Sequence, residues 1–86
     1  MAGTETIAIS LRFFGALSES VSGEILTREL PEGRTLGDLR RALVQEHPDE
    51  PRLAICMIAV NAEYRDEATP LRDGDEVAMI PPVSGG

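Results

Sequence analysis

The residues with the clearest chemical potential close the sequence, in the run Pro81-Pro82-Val83-Ser84-Gly85-Gly86. Pro81 and Pro82 lack backbone donors and have a fixed φ, so they cannot extend a sheet ladder and favour a stiff, polyproline-like exit. Gly85 and Gly86 carry no side chain, which makes this end thin enough to enter a narrow tunnel. The expected chemistry is that of a tail inserted into another protein's active site, with the Gly86 carboxylate as its reactive group. The plain alternative is a frayed end.

Other reactive residues stand apart. Cys56 could serve as a nucleophile or persulfide carrier, but the only His is His47, with no spacing that pairs them. Cys56 lies in an apolar run, where a free Cys behaves as a small hydrophobe, and a core role is expected. His47 ends a helical pattern before Pro48, where its charge would complement the helix dipole. Asp73, Asp75 and Glu76 cluster, but Asp73-Gly74 is a turn signal and the calcium-loop spacing is absent, so no metal site is expected. Phe13, Phe14 and Tyr64 are the only aromatics. Phe13 falls on the core side of its strand; Phe14 points the other way, and either it or Tyr64 could anchor a partner. There is no phosphate loop, nucleophile elbow or zinc spacing. The chain lacks the parts of a self-sufficient enzyme and is expected to bind no cofactor.

Composition narrows the partners. Eighty-six residues suffice for one domain with a single modest core. Fifteen acids against eight basic residues give a net charge of −7. Nucleic acid and anionic membranes are therefore not expected partners, since both need a basic footprint. All eight basic residues are Arg, which excludes Schiff-base chemistry and a phosphate-loop Lys. One Cys permits no internal disulfide, and no secretory leader or membrane-length apolar run is visible. A cytoplasmic location is expected.

The elements that must carry the tail follow from hydrophobic periodicity. Ile7, Ile9, Leu11 and Phe13 alternate with Ala8, Ser10, Arg12 and Phe14, the mark of a half-buried strand ended by Gly15. Ala16 to Val21 could form a short helical turn before a Ser22-Gly23 turn. Glu24 to Leu30 is a second strand, with Leu26 and Leu30 toward the core. Thr35 caps a helix to His47, with Asp38 in a short version of the capping box and Leu36, Leu39 and Leu43 as its apolar stripe. Leu53 to Val60, apolar on both faces, reads as a central strand. Asn61-Ala62-Glu63 is a turn, Tyr64 to Thr69 is irregular, and Glu76 to Ile80 is the last strand. The order strand, strand, helix, strand, strand needs the helix over one sheet face. It suits an α+β β-grasp arrangement if the first and last strands lie parallel side by side, with a ferredoxin-like fold as the nearest rival.

Four segments together resemble the small subunits of molybdopterin synthases: Phe13-Phe14-Gly15, Ala59-Val60-Asn61, Pro70-Leu71-Arg72-Asp73-Gly74-Asp75-Glu76-Val77, and the closing Pro81-Pro82-Val83-Ser84-Gly85-Gly86. The resemblance covers nearly the whole chain. One departure is visible: Ser18 stands near a place where such subunits often carry an Arg. The resemblance implies a ubiquitin-like β-grasp domain over residues 1–80 and an extended tail over 81–86. It implies a sulfur carrier. An activating, E1-like enzyme would use ATP to turn the Gly86 carboxylate into an acyl-adenylate. A persulfide sulfur from a donor would then replace AMP and leave a thiocarboxylate.

The large catalytic subunit would receive the tail, bind a cyclic pyranopterin monophosphate, and take two sulfurs for the molybdopterin dithiolene. The same match places Phe14, Tyr64 and Ile80 against the partner. For Phe14 and Ile80 the strand alternation agrees, since each lies opposite the core face. Rival readings are a β-grasp carrier for thiamine or cysteine synthesis, a ubiquitin-like modifier joined to lysines, and a plain interaction domain.

Overall fold

The computed structural model describes residues 5–15, 17 and 25–82. The strands are β1 (Thr6–Phe13), β2 (Leu26–Pro31), β3 (Met57–Val60), β4 (Glu63–Tyr64) and β5 (Glu76–Ile80). One α-helix, α1 (Leu36–Glu46), follows β2, and a 3-10 turn at Pro51–Ala54 precedes β3. The strands form one sheet in the order β2-β1-β5-β3-β4. β1 and β5 run parallel in its interior, with Ser10 opposite Glu76 and Phe13 opposite Met79. Every other pairing is antiparallel. This is the β-grasp arrangement.

The period-two pattern of β1 sends Ile7, Ile9, Leu11 and Phe13 to one face, where they are buried. Leu30, Ile58, Val60, Val77 and Met79 join them, and α1 adds Leu36, Leu39 and Leu43 to the same core. Each such side chain contributes roughly 1.5–3 kcal/mol by leaving water. The helix therefore covers one face of the sheet.

The first turn of α1 leaves backbone donors that something outside the helix must satisfy. Leu36 N–H donates to the Thr69 carbonyl (2.9 Å) and Gly37 N–H to the Glu67 carbonyl (3.0 Å). Asp38 N–H donates to Thr35 Oγ1 (3.2 Å), while Asp38 Oδ2 accepts from Thr35 N–H (3.0 Å). The capping box is thus complete with Asp in place of Glu. His47 caps the other end, its N–H donating to Leu43 C=O (3.0 Å), and Pro48 follows.

Three expectations need correction. The strand foreseen over Leu53–Val60 begins only at Met57. Pro51 opens a 3-10 turn whose cap is the buried Glu50; its carboxylate accepts from Arg52 N–H (3.1 Å). Leu53 enters the core from that turn, and Ile55 and Met57 are exposed. Second, Tyr64 is not in irregular chain: Glu63–Tyr64 pairs with β3 as a fifth strand. Third, Leu26 lies opposite Leu11 and so has the foreseen orientation, yet it is exposed, because β2 is an edge strand and its end stands proud. Of the short helix expected at 16–21, only Leu17 lies among the described residues, and it is fully buried.

Candidate functional site

The residues out of step with the core define a second sheet face. Arg12 stands opposite Ala78, Ala78 opposite Ala59, Ala59 opposite Tyr64, and Met57 opposite Ile80. Paired residues on neighbouring strands project from the same side. All of these therefore lie on the face that α1 leaves uncovered. Phe14 follows β1 in the same alternation, and its N–H donates to Met79 C=O (3.1 Å). The expected trio thus shares one face, with Phe14 and Ile80 at one end of the central strands and Tyr64 on β4, at the sheet edge.

The face is apolar toward the end where β5 leads into the tail, while Arg12 crosses its middle and Ser10 and Glu76 occupy its other end. Ala59 and Ala78 present only methyl groups in its middle. Tyr64 (62% exposed) and Met57 (48%) stand clear of the surface, while Phe14 and Ile80 are half-buried. The Arg12 guanidinium carbon lies 5.1 Å from the Phe14 ring centroid, a cation–π contact worth about 0.5–1 kcal/mol at an exposed site. Sequence reasoning missed Met57, because a strand apolar on both sides was taken to be covered on both. It also missed the Arg12–Phe14 contact, although their separation by two residues on a strand already implies a shared face.

β5 leads from this face directly into the tail. Ile80 ends the strand, Pro81 is half-buried and Pro82 is exposed. Gly15 lies against Pro81; a Cβ on Gly15 would stand 3.1 Å from Pro81 Cγ, and its φ of +58° favours glycine. Val83, Ser84, Gly85 and Gly86 lie outside the described residues, as does Ser18.

The model of the ThiS family matches residues 11–86, from the middle of β1 through the closing glycines. The chain belongs to the ThiS family. It is 36% identical over 81 residues to a molybdopterin synthase sulfur carrier subunit from Chlamydomonas reinhardtii, covering 91% of this chain and 98% of the relative. It is 29% identical over 90 residues to small archaeal modifier protein 3 from Haloferax volcanii, covering 91% and 98%. Among solved structures it is similar to a chain in the complex of subunits 1 and 2 of molybdopterin-converting factor from Helicobacter pylori. That match has 34% identity and a TM-score of 0.65, covering 93% of this chain and all of the other.

Cys56, Arg40, Asp73 and Asp75 serve the architecture of this ThiS-family chain. Cys56 is buried and joins the core beneath α1. Its Sγ–H donates to Leu53 C=O (3.5 Å), and Arg40 Nη1 lies 3.7 Å from the sulfur. Burial pushes the thiol pKa up, against the opposing pull of Arg40. Arg40, on α1 outside the Leu36, Leu39 and Leu43 stripe, reaches toward the 3-10 turn: Nη1 donates to Leu53 C=O (2.8 Å) and Nε pairs with Glu67 Oε2 (2.8 Å). Asp73 Oδ1 accepts from Ala8 N–H (2.8 Å), and Asp75 accepts from Arg72 N–H (2.8 Å) and Asn61 Nδ2 (3.0 Å). These carboxylates fasten the turn before β5 to β1 and to the β3–β4 hairpin. Among the described residues no three His, Cys, Asp or Glu side chains gather to hold a metal, and no helix is long and apolar enough to cross a membrane.

Proposed function

We propose that this chain is the sulfur-carrier subunit of a molybdopterin synthase, working in the cytoplasm. The observation that carries this reading is that β5 does two things at once. It lies within the uncovered apolar face through Ala78 and Ile80, and it runs without a break into Pro81 and the tail. A partner that buries Phe14, Tyr64 and Ile80 therefore fixes where the tail begins. Pro81 and Pro82 stiffen the lead, and Gly85 and Gly86 offer no side chain to a narrow channel. The sulfur carrier from Chlamydomonas reinhardtii and the two-subunit complex from Helicobacter pylori support the choice of partner.

The carrier itself supplies one group, the Gly86 carboxylate. Its charge resists nucleophilic attack, so an E1-like enzyme activates it with ATP as an acyl-adenylate. A persulfide donor displaces AMP to give an acyl disulfide; a second thiol of the donor system then attacks the donor's own sulfur, forming a disulfide there and releasing the thiocarboxylate on Gly86. Its sulfur is the nucleophile delivered to cyclic pyranopterin monophosphate in the large subunit. Two such turnovers complete the dithiolene. The carrier binds no cofactor in this scheme, and its charge of −7 steers it toward basic partners.

Intact mass after incubation with the activating enzyme, ATP and a sulfur donor tests the reading. Exchange of one oxygen for sulfur adds about 16 Da, and fragmentation should place it on Gly86. Deleting Gly86 withdraws the reactive carbon by about 3.5 Å, and should abolish product while leaving the fold intact. The similarity to small archaeal modifier protein 3 favours a second reading, a protein modifier. That reading would give an isopeptide between Gly86 and a Lys of another protein, and no thiocarboxylate-dependent product.

A further inference from the structure

The chain that leads into β3 carries apolar surface that the core does not use. Leu53 and Cys56 are buried, whereas Ile55 (65% exposed) and Met57 (48%) turn away from the core. Ile55 closes the 3-10 turn, where its N–H donates to Arg52 C=O (3.2 Å). Both side chains therefore face water. Exposed apolar side chains scattered singly are ordinary; their gathering in one place marks a contact surface.

These two gather at the root of the tail. Met57 stands opposite Ile80, the last residue of β5. The two strands run antiparallel, so the chain entering β3 lies at the end of the sheet from which Pro81 and Pro82 leave. On the other flank of β5, Phe14 N–H donates to Met79 C=O (3.1 Å) and Gly15 lies against Pro81. The root of the tail thus has Phe14 on its β1 side, and Met57 with Ile55 before it on its β3 side. The opposite end of the same face is polar, with Ser10 beside Glu76.

We infer that Ile55 and Met57 complete an apolar collar around the root of the tail, and that the large subunit closes on both flanks of it. The identity of that partner rests on the sulfur-carrier reading; the collar itself rests on exposure and strand register. A partner seated on Phe14, Ile80 and Tyr64 alone would leave the root open to water on the side of Ile55 and Met57. A channel that admits Gly85 and Gly86 must have its mouth where Pro81 and Pro82 leave the sheet. The surface that matches the collar is an apolar rim, poor in charge, surrounding that mouth. Contacts of this kind keep water from the packed centre of an interface. A second copy of this chain is a poorer occupant, since it brings another −7 of charge against this one and two tails to one place.

Peroxide footprinting of the full chain without loaded sulfur, alone and mixed with the large subunit, tests the collar apart from any sulfur chemistry. Hydrogen peroxide gives one oxygen to an exposed Met thioether, forming the sulfoxide and water. Met57 should be oxidised in the free chain, while Met79, fully buried, should be spared. The large subunit should slow oxidation of Met57 markedly. Ile55→Ser and Met57→Gln, both at exposed side chains, should each weaken binding about fivefold or more in calorimetry, with an unchanged Tm of the free chain. Met57→Leu should bind as the wild type does and keep its affinity after peroxide treatment, whereas the oxidised wild type should bind like Met57→Gln. The collar is overturned, and the sulfur-carrier reading left intact, if the large subunit binds while Met57 stays as reactive as in the free chain. Wild-type affinity for both Ile55→Ser and Met57→Gln has the same consequence. An absence of any binding by the large subunit overturns both. A dimer of the chain alone that Ile55→Ser dissolves would assign the collar to a second copy and overturn the inference.

Discussion

Gly15 is the seat on which Pro81 rests: a methyl group added to Gly15 would stand 3.1 Å from Pro81 Cγ. The Gly15 φ of +58° adds a second reason for glycine. Gly15→Ala should therefore cost about 1 kcal/mol from the left-handed backbone alone. In a domain of this size that lowers Tm by about 4–8 °C. The displaced Pro81 should also misdirect the tail. Thermal unfolding reads the first effect. Single-turnover sulfur transfer, with binding of the large subunit measured alongside, reads the second; transfer should fall more than binding.

The uncovered face predicts a graded set of binding losses. Ile80→Asp puts a charge into this face beside the tail's exit and should weaken the large subunit's binding by about 30-fold or more, the effect of losing a hot spot of about 2 kcal/mol. Tyr64→Ala should act in the same direction. Arg12→Ala removes only the contact above Phe14 and should cost less. Calorimetric titration checks all three, and wild-type affinity for Ile80→Asp would remove this face from the interface.

How far the sequence revealed this arrangement depended on whether a signal was local. The alternation of Ile7 to Phe13 and the Thr35–Asp38 cap are written in neighbouring residues, and both elements formed as read. The same alternation placed Phe14 and Ile80 opposite the core. Relations between distant segments were harder. Only the pairing of β3 with β4 reveals that Tyr64 shares their face, and the Glu63–Tyr64 strand is too short to show a period. The Leu53–Val60 run misled because hydrophobicity alone cannot distinguish a 3-10 turn from a strand covered on both sides. Pro51 was the signal that could have divided it. The contact of Arg40 with Cys56 joins residues sixteen apart and had no signature in the sequence.

The β3–β4 hairpin holds a removable strain. Asn61 (φ 51°) and Ala62 (φ 71°) both sit in the left-handed region, as a type I′ turn requires. Asn61 belongs there: its amide donates to Asp75 and its carbonyl oxygen accepts from Glu76 N–H, each at 3.0 Å. Ala62 has only a strained Cβ to contribute. Ala62→Gly should raise stability by about 1 kcal/mol, in spite of the added freedom of the unfolded chain. An unchanged or lower urea midpoint would contradict this.

Acid should unfold the chain through carboxylates that the fold holds ionised. The Asp38 pKa is lowered chiefly by accepting from Thr35 N–H, and the Glu46 pKa chiefly by its hydrogen bond with Arg28. Both folded values lie below the unfolded ones, so the stabilisation is present above the unfolded pKa, about 4, and lost as pH falls through the folded values. Urea midpoints of the wild type should be level near neutrality and fall below about pH 4. Asp38→Ala should be less stable at neutral pH and converge with the wild type in acid. A constant gap between the two across the range would show that the cap acts without its charge.

Cys56 offers the sharpest separation between a thiol that carries sulfur and one that only packs. A sulfur-accepting Cys needs access and an easily formed thiolate. Cys56 is 2% exposed, and burial raises its pKa despite the nearby guanidinium. The pocket is not purely apolar, since Leu53 C=O and Arg40 both approach the sulfur. A hydroxyl can keep the bond to Leu53 C=O, so Cys56→Ser should cost only about 1 kcal/mol rather than the larger penalty of an unsatisfied buried hydroxyl. Sulfur loading and transfer should remain at wild-type rates. Iodoacetamide should alkylate the native thiol far more slowly than the urea-unfolded one. Fast alkylation of the native protein, or added sulfur found on Cys56 by fragmentation, would transfer the carrier role from Gly86 to this thiol.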